Sequence, residues 1–258
     1  MTKLLWKGRI SMTEKLSEEL EARCRALEEN LADIRTRMAQ AAIASGRKPE
    51  DITLLAATKT VPVEVVNRAI ELGITDIGEN RVQELDEKYD RLLRDQCRVH
   101  FIGHLQTNKV KNLVGRVNLI QSVDSVRLAR EISRLSVQRD VTTDILLEVN
   151  IGREENKSGV APEELESLLG EIAGMPGIFV RGLMAIPPIC DEKERLQNYF
   201  SLMRQYFIDI KSKKSDNVAM DFLSMGMSGD FEEAILCGSN MVRVGSSLFG
   251  KRQYAEKI

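Results

Sequence analysis

Hydrophobic residues in the first 45 positions recur at alternating steps of four and three. They are Leu16, Leu20, Cys24, Leu27, Leu31, Ile34 and Met38. This spacing places them on one face of a helix. Ser11 and Glu14 match a capping box and Ser45-Gly46 matches a stop, so the sequence predicts a helix over residues 13–45. The same period is compatible with a coiled coil, but we favour a long helix packed on the body of the domain.

From residue 52 the pattern changes to short β-rich runs that alternate with amphipathic helical stretches. The predicted strands are residues 52–58, 75–77, 99–102, 117–121, 143–150, 178–184, 219–224 and 241–244. The predicted helices between them include residues 63–72, 81–93, 126–137, 163–173, 194–210 and 231–236. Strands separated by a helix's length of chain pair in parallel. Eight such units in about 200 residues predict a single (β/α)8 TIM barrel. A doubly wound open sheet is the alternative, weakened because no GxGxxG follows an early strand.

The chain contains no linker-like, repetitive or low-complexity stretch. We therefore expect one domain over residues 13–258, preceded by a poorly ordered leader at residues 1–12, with Met12 as an alternative natural start. The apolar run Leu4-Leu5-Trp6 is too short for a signal peptide. Charges interrupt every stretch that approaches the roughly 20 apolar residues of a membrane helix.

Composition narrows the class of protein further. With 43% hydrophobic residues the chain is not disordered, and 37 basic against 39 acidic residues give a net charge of −2. The chain as a whole therefore lacks the excess of basic residues that is typical of nucleic-acid-binding proteins, and the same balance disfavours a membrane-surface role. The four cysteines are scattered, without metal-ligand spacing, as in a cytoplasmic protein with reduced thiols. We expect no metal site, and a monomer.

Active groups of a barrel lie at the carboxyl ends of its strands. Lys59 directly follows the first predicted strand. Partial burial there lowers the pKa of a lysine and favours the neutral amine, which attacks aldehydes. Position alone, however, favours the alternative of a lysine that simply ends a strand and points to water.

Two turns rich in glycine and serine follow the last two strands. Residues 224–230 lead into a helix N-terminus, and residues 243–247 follow the eighth strand. Backbone N–H groups at such turns bind anions, and barrels commonly hold phosphate there. Together with Lys59 they predict a phosphorylated aldehyde, for which pyridoxal 5′-phosphate (PLP) is suitable. Arg243 is then placed to donate to the pyridine nitrogen, although a salt-bridged structural arginine is the alternative. An arginine partner leaves that nitrogen unprotonated, which argues against aminotransferase chemistry.

Long ordered blocks then carry a resemblance to a known family. They are LAATKTVP (residues 55–62), GENRVQE (78–84), HFIGHLQTNK (100–109), GLMAIPP (182–188), SMGMSGDFE (224–232) and VRVG (242–245). In these blocks the chain resembles the pyridoxal phosphate homeostasis proteins, which are related to the barrel domain of alanine racemase. Thr58 departs from the serine that is common before the lysine.

The resemblance implies a single barrel of the alanine-racemase type and assigns roles to individual residues. Lys59 corresponds to the lysine that forms the Schiff base with PLP, and Arg243 to the partner of the ring nitrogen. Asn80 is expected near the ring, or alternatively as the N-cap of the following helix. The residues that correspond to the phosphate cup are Ser224, Ser228, Gly245 and Ser246.

The function implied is intracellular PLP homeostasis: PLP is held reversibly and supplied to apoenzymes, without turnover. The alternative is a PLP-dependent amino-acid racemase, which needs acid–base groups on both faces of the substrate. We disfavour it because the chain ends at Ile258, soon after the barrel, and Tyr254 in the tail is a poor second base. A Schiff-base aldolase is a more distant option. The roles of His104 and Lys157, at the barrel mouth or in solvent, stay open.

Overall fold

The computed structural model describes residues 12–190, 192–213 and 215–250, with side chains from residue 18 onward in the first range. The first described element is the helix α1 (Met12–Ala44), which matches the helix predicted over residues 13–45 within one residue at each end. The predicted leader lies outside the described residues, apart from Met12.

Eight strands follow α1 and alternate with helical segments. The strands are β1 (Thr53–Ala57), β2 (Asp76–Glu79), β3 (Arg98–Phe101), β4 (Leu119–Val123), β5 (Thr143–Val149), β6 (Ile178–Ala185), β7 (Val218–Met227) and β8 (Met241–Val244). The α-helices are α2 (Val63–Glu71), α3 (Val82–Lys88), α4 (Val126–Gln138), α5 (Leu165–Ile172), α6 (Lys193–Ser212), α7 (Phe231–Leu236) and α8 (Ser246–Phe249).

The strands form a closed barrel in which every neighbouring pair is parallel and β8 pairs with β1. The predicted TIM barrel is therefore confirmed. Successive side chains along each strand face the covering helices and the barrel interior in turn. Interior apolar residues form two small clusters, Leu55 with Ile102 and Met241, and Leu119 with Leu146 and Met184.

Several element boundaries differ from the sequence prediction. Strand β7 continues three residues beyond its predicted end at Ser224, because Gly226 adopts a positive φ of 93° and the pairing with β8 shifts register there. A Cβ on Gly226 would lie 2.5 Å from the Cβ of Ala234, so glycine is also needed for the close approach of α7. Helix α3 is shorter than predicted, and a 3₁₀ helix (Thr107–Asn112) connects β3 to β4.

Helix α1 packs lengthwise on the outside of the barrel. Its buried face consists of Leu27, Leu31, Ile34, Met38, Ala41 and Ala42, and it contacts α2, α7 and α8. The side-chain amide of Asn30 also donates to the carbonyl oxygen of Leu248 at 3.0 Å. Helix α1 therefore joins the first and last parts of the chain. Within the described residues, no helix is long and apolar enough to cross a membrane.

The packing of α1 leads to a stability prediction. Ile34 is 1% exposed, whereas Ile43 on the same helix is 65% exposed. We expect Ile34→Ala to lower the free energy of unfolding by about 2–4 kcal/mol, because it leaves a cavity beneath α1. Ile43→Ala is the matched control and should change stability by less than about 1 kcal/mol. Urea denaturation of both variants checks this, and equal losses would show that α1 is not anchored through Ile34.

Candidate functional site

Lys59 lies at the mouth of the barrel, two residues beyond the end of β1, and is half-buried. Strand β1 is flanked by β2 and β8, so the residues that follow those two strands are its neighbours around the rim. They include Asn80 after β2 and Gly245 after β8. The closed barrel thus places Lys59, Asn80 and Gly245 just beyond the carboxyl ends of three adjacent strands.

A buried polar cluster holds the backbone on either side of Lys59. The Thr58 hydroxyl donates to Glu79 Oε1 at 2.6 Å. Lys88 Nζ donates to the same oxygen at 2.7 Å and to the carbonyl oxygen of Thr58 at 2.8 Å. On the other side, the N–H of Thr60 donates to Glu84 Oε2 at 2.7 Å, and Thr60 has a φ of 61°. Lys59 therefore leaves β1 from a fixed, locally strained backbone.

Sequence reasoning missed these supporting residues. Glu79 and Glu84 lie within the GENRVQE block, but their motif position alone does not show that they bind the β1 end. The available indication was the acidic residue at the end of the short strand Asp76–Glu79, because a carboxylate that a barrel strand buries requires a partner. Burial raises the pKa of Glu79, and the adjacent Lys88 opposes that rise.

Asn80 has an unused hydrogen-bonding atom at this rim. Its Oδ1 is buried and has no partner within the described residues. The N-cap position of α3 belongs to Arg81, so the structure does not support the alternative that Asn80 caps that helix. Gly103 allows the Asn80 backbone to approach closely, since a Cβ there would lie 2.1 Å from the Asn80 carbonyl oxygen. A buried acceptor without a protein partner is available to a ligand or a water molecule.

The loops after β7 and β8 meet through Ser228. Its Oγ accepts hydrogen bonds from the backbone N–H of Gly245 at 3.1 Å and of Ser247 at 3.2 Å. The Ser247 hydroxyl donates in turn to the Ser228 carbonyl oxygen at 3.1 Å. Ser246 is exposed at the start of α8. These N–H groups converge on one oxygen, which is the arrangement that phosphate oxygens require.

Gly245 permits this loop to lie against β1. A Cβ at that position would be 3.2 Å from the carbonyl oxygen of Ala57. The backbone that binds Ser228 is thereby brought beside the strand that carries Lys59.

Arg243 points into the barrel and is 4% exposed. Its Nη1 donates to Ser224 Oγ at 2.7 Å, and its Nη2 donates to the carbonyl oxygen of Ala185 at 3.0 Å. Both contacts are with neutral groups, so the structure does not support the alternative of a salt-bridged arginine. Burial lowers the pKa of Arg243 to about 10, against the opposing charges of Glu148 and Asp230. The guanidinium is still fully protonated at neutral pH.

Ser224 lies inside the barrel rather than in a turn. Its hydroxyl donates to Gln121 Oε1 at 2.7 Å and accepts from Arg243. In the structure Ser224 is therefore hydrogen-bonded to Arg243, whereas Ser228, Gly245 and Ser246 lie in the loops that follow β7 and β8. A phosphate contact by Ser224 stays a prediction.

The two residues whose roles were open, His104 and Lys157, lie on neighbouring loops. His104 is exposed, and its Nδ1 is 2.9 Å from Ser158 Oγ. Lys157 forms an ion pair with Glu154. Asn150 closes the loop over residues 150–159, accepting from the Glu154 N–H at 3.1 Å and donating to the Glu154 carbonyl oxygen at 2.9 Å. Lys157 therefore belongs to a folded loop with an ionic partner of its own.

Glu148 is an additional titratable group in the barrel, on β5. Burial raises its pKa to about 7; the charge of Asp124 adds to that rise and Arg243 opposes it. Elsewhere in the described part of the chain, no cluster of three histidine, cysteine or acidic residues is suited to a metal ion. The four cysteines are half-buried thiols without disulfides.

Comparisons with known proteins agree with this architecture. Residues 23–253 match the family model described as alanine racemase, N-terminal domain. An alanine racemase structure from Clostridium difficile superposes with a TM-score of 0.67 over 89% of this chain and 60% of that chain, at 16% identity, which shows a shared fold. The barrel is thus of the alanine-racemase type.

Closer relatives define the family. A pyridoxal phosphate homeostasis protein of Aquifex aeolicus is 43% identical over 88% of this chain and 98% of its own length. The structure of PipY from Synechococcus elongatus with PLP bound has a TM-score of 0.75 at 29% identity, over 87% of this chain and all of that one. The chain belongs to the family of pyridoxal phosphate homeostasis proteins.

The elevated pKa of Glu148 gives a pH-dependent stability prediction. Because the folded state binds the Glu148 proton more tightly than the unfolded state, the carboxyl group costs stability as pH rises from its ordinary pKa of 4.5 to about 7. We therefore expect Glu148→Gln to gain stability over the wild type across that interval. The gain reaches about 3 kcal/mol at neutral pH, at about 1.4 kcal/mol per pH unit.

Chemical denaturation of the ligand-free protein at pH 4.5, 6 and 7.5 measures this gain. Glu155→Gln, at an exposed position, is the matched control. Parallel stability–pH curves for the two variants would contradict the prediction.

Proposed function

We propose that this protein holds PLP covalently on Lys59 in the barrel mouth and serves intracellular PLP homeostasis and supply. The observation that carries this proposal is the adjacency of β1 and β8. It brings Lys59 next to the N–H groups after β8, with the guanidinium of Arg243 on β8 pointing into the barrel. An amine, an anion-binding loop and a buried cation match the aldehyde, phosphate and pyridine nitrogen of PLP.

Each polar group of PLP has a suitable residue at this site. The loops that carry Ser228, Gly245 and Ser246 suit the phosphate, one oxygen of which would replace Ser228 Oγ as the acceptor of the Gly245 N–H. Arg243 suits the ring nitrogen, and the unpartnered Oδ1 of Asn80 suits a ring substituent. The cofactor supplies an aldehyde carbon that condenses with an amine, and the chain supplies Lys59.

We assign Ser224 to the support of Arg243 rather than to the phosphate. Its hydroxyl oxygen accepts from the guanidinium, and its proton is donated to Gln121. A phosphate oxygen bound to the Ser224 hydroxyl would compete with both of these hydrogen bonds. Ser228, Gly245 and Ser246 are then the residues that we propose for the phosphate, and a phosphate contact by Ser224 stays a prediction of the resemblance.

A carrier role without turnover is consistent with the chemistry around Arg243. A protonated arginine donates to the ring nitrogen without protonating it, so the ring is a poor sink for electrons. The lysine attachment therefore retains the cofactor without activating a bound amino acid strongly.

A racemase would also require an acid–base group on the face opposite Lys59. In the described part of the chain the tyrosines, Tyr89, Tyr199 and Tyr206, lie on the outer helical layer. The Tyr89 hydroxyl is occupied by the carbonyl oxygen of Arg116 at 3.0 Å. Tyr254 lies outside the described residues. We propose that the protein acts in the cytoplasm as a monomer and that its partners are PLP and PLP-dependent apoenzymes.

The covalent attachment can be tested with two lysine variants. We expect the wild type to develop a visible absorbance band with PLP, and borohydride to fix the cofactor to the chain. Lys59→Ala should lose both the band and the fixed mass. Lys157→Ala, which changes a loop lysine already paired with Glu154, should retain them. Attachment that persists in Lys59→Ala and disappears in Lys157→Ala would overturn the assignment.

The absence of turnover has its own test. The PLP-loaded protein is incubated with single L-amino acids in deuterated water, and exchange at Cα is followed by NMR together with chiral analysis. We expect no exchange and no D-isomer above the level given by PLP alone. Exchange that is abolished in Lys59→Ala would show racemase-type chemistry and contradict a purely non-catalytic role.

A further inference from the structure

A line of buried polar side chains crosses the barrel interior beneath Arg243. From Arg243 it runs to Ser224 Oγ at 2.7 Å, and from Ser224 to Gln121 Oε1 at 2.7 Å. Gln121 Nε2 lies 3.0 Å from His100 Nδ1, and His100 Nε2 lies 2.9 Å from Asp76 Oδ1. All five residues are at most 4% exposed. Four strands besides β8 therefore contribute polar side chains to an interior that elsewhere holds apolar clusters.

The two ends of this line and the orientation of Gln121 together give the direction of its hydrogen bonds. A guanidinium only donates, so Ser224 accepts from Arg243, and its own proton is donated to Gln121 Oε1. The amide nitrogen of Gln121 then faces His100 Nδ1, which must be an unprotonated acceptor. The His100 proton is consequently on Nε2 and is donated to Asp76. An ionised carboxylate only accepts, so the Asp76 end independently requires a proton on His100 Nε2.

Further contacts hold Asp76 and Gln121, two residues of this line, in place. Arg98 donates to the two oxygens of Asp76 from Nε and Nη2, each at 2.8 Å. Burial would raise the pKa of Asp76, but the hydrogen bonds from His100 and Arg98 hold it well below its ordinary value. The Gln121 amide nitrogen also lies 3.2 Å from Met241 Sδ. Asp76 is thus a permanent anion, and Gln121 has a partner for each of its amide hydrogens.

We propose that Gln121 and His100 are positioning residues for Arg243, which they hold in place for the cofactor ring through Ser224. They act by keeping the Ser224 oxygen available as an acceptor. If Gln121 presented its nitrogen instead, the Ser224 proton would lose its acceptor and the bond to Arg243 would weaken. This inference rests on the proposed function for what Arg243 does, but the direction of the line is a property of the protein alone.

The direction is tested first in the ligand-free wild type. Nitrogen-15 NMR of labelled histidine reports which ring nitrogen of His100 carries the proton. We expect a proton on Nε2, which donates to Asp76, and none on Nδ1, which accepts from Gln121. A proton on Nδ1 would require the opposite orientation of Gln121 and would overturn the proposal, whether or not the protein binds PLP. A wild type that fails to bind PLP would instead overturn the proposed function.

The effect on the cofactor is tested with two substitutions of Gln121. Gln121→Met removes the acceptor for Ser224 while keeping side-chain length. We expect PLP to dissociate about fivefold more readily, the effect of one buried neutral hydrogen bond, and the visible band to shift in wavelength. Gln121→Glu keeps an oxygen toward Ser224. It should restore the wild-type band and require a second proton on His100, at Nδ1, visible by the same NMR measurement.

Gln197→Met is the matched control. It removes a hydrogen bond of 2.8 Å to Glu233 on the outside of the barrel and should leave both the band and the affinity unchanged. An unshifted band and unchanged affinity in Gln121→Met would overturn the positioning role. If Gln121→Met does not fold, Gln121→Glu decides the question, because a His100 that gains no proton there contradicts the proposed line.

Discussion

Placing the cation of Arg243 inside an eight-stranded barrel is the constraint on which the rest of the site depends. Removing a guanidinium from water costs several kcal/mol unless the protein replaces the lost hydration. Ser224 and the carbonyl of Ala185 supply direct acceptors, and Glu148 and Asp230 supply opposing charge from a greater distance. The structure thus solvates the cation mainly with dipoles and keeps the carboxylates out of direct contact. A guanidinium held in this way retains donors for a ligand, whereas a bidentate ion pair would occupy them.

The same constraint explains why one part of the barrel interior is polar while the rest is apolar. Around Leu55 and Leu119 the interior is apolar and packs as any core does. Elsewhere in the interior, the polar line leads from Arg243 towards Asp76, which forms an ion pair with the exposed Arg98. The rim has a different arrangement, in which Thr58, Glu79 and Lys88 hold the strand that presents Lys59. Two independent sets of buried polar contacts therefore hold the two residues expected to contact opposite ends of the cofactor.

The sequence predicted the barrel, and the places of Lys59 and the two serine–glycine loops in it, for a physical reason. Strand and helix periods differ strongly, and Lys59 and the serine–glycine loops immediately follow strand ends. Their position in a parallel barrel then follows from strand order alone. The polar line was not predictable in this way. Gln121 ended a predicted strand and His100 began a motif, and only the register between strands makes their side chains meet. The resemblance assigns Ser224 to the phosphate cup; the structure extends β7 to Met227 and directs the Ser224 hydroxyl to Arg243 and Gln121, contacts that the sequence does not reveal.

The position of helix α1 affects the order in which contacts can form while the chain is being synthesised. It is the first described element to be made, yet the helices α7 and α8 that cover it are among the last. The bond from Asn30 to Leu248 spans 218 positions of sequence. Helix α2 can cover part of the apolar face of α1 early, but the part that packs on α7 and α8 stays uncovered until nearly all of the described chain has been made. The barrel closes at β8 and β1 over the same interval, so the mouth at which Lys59 lies is complete only after β8 has been made.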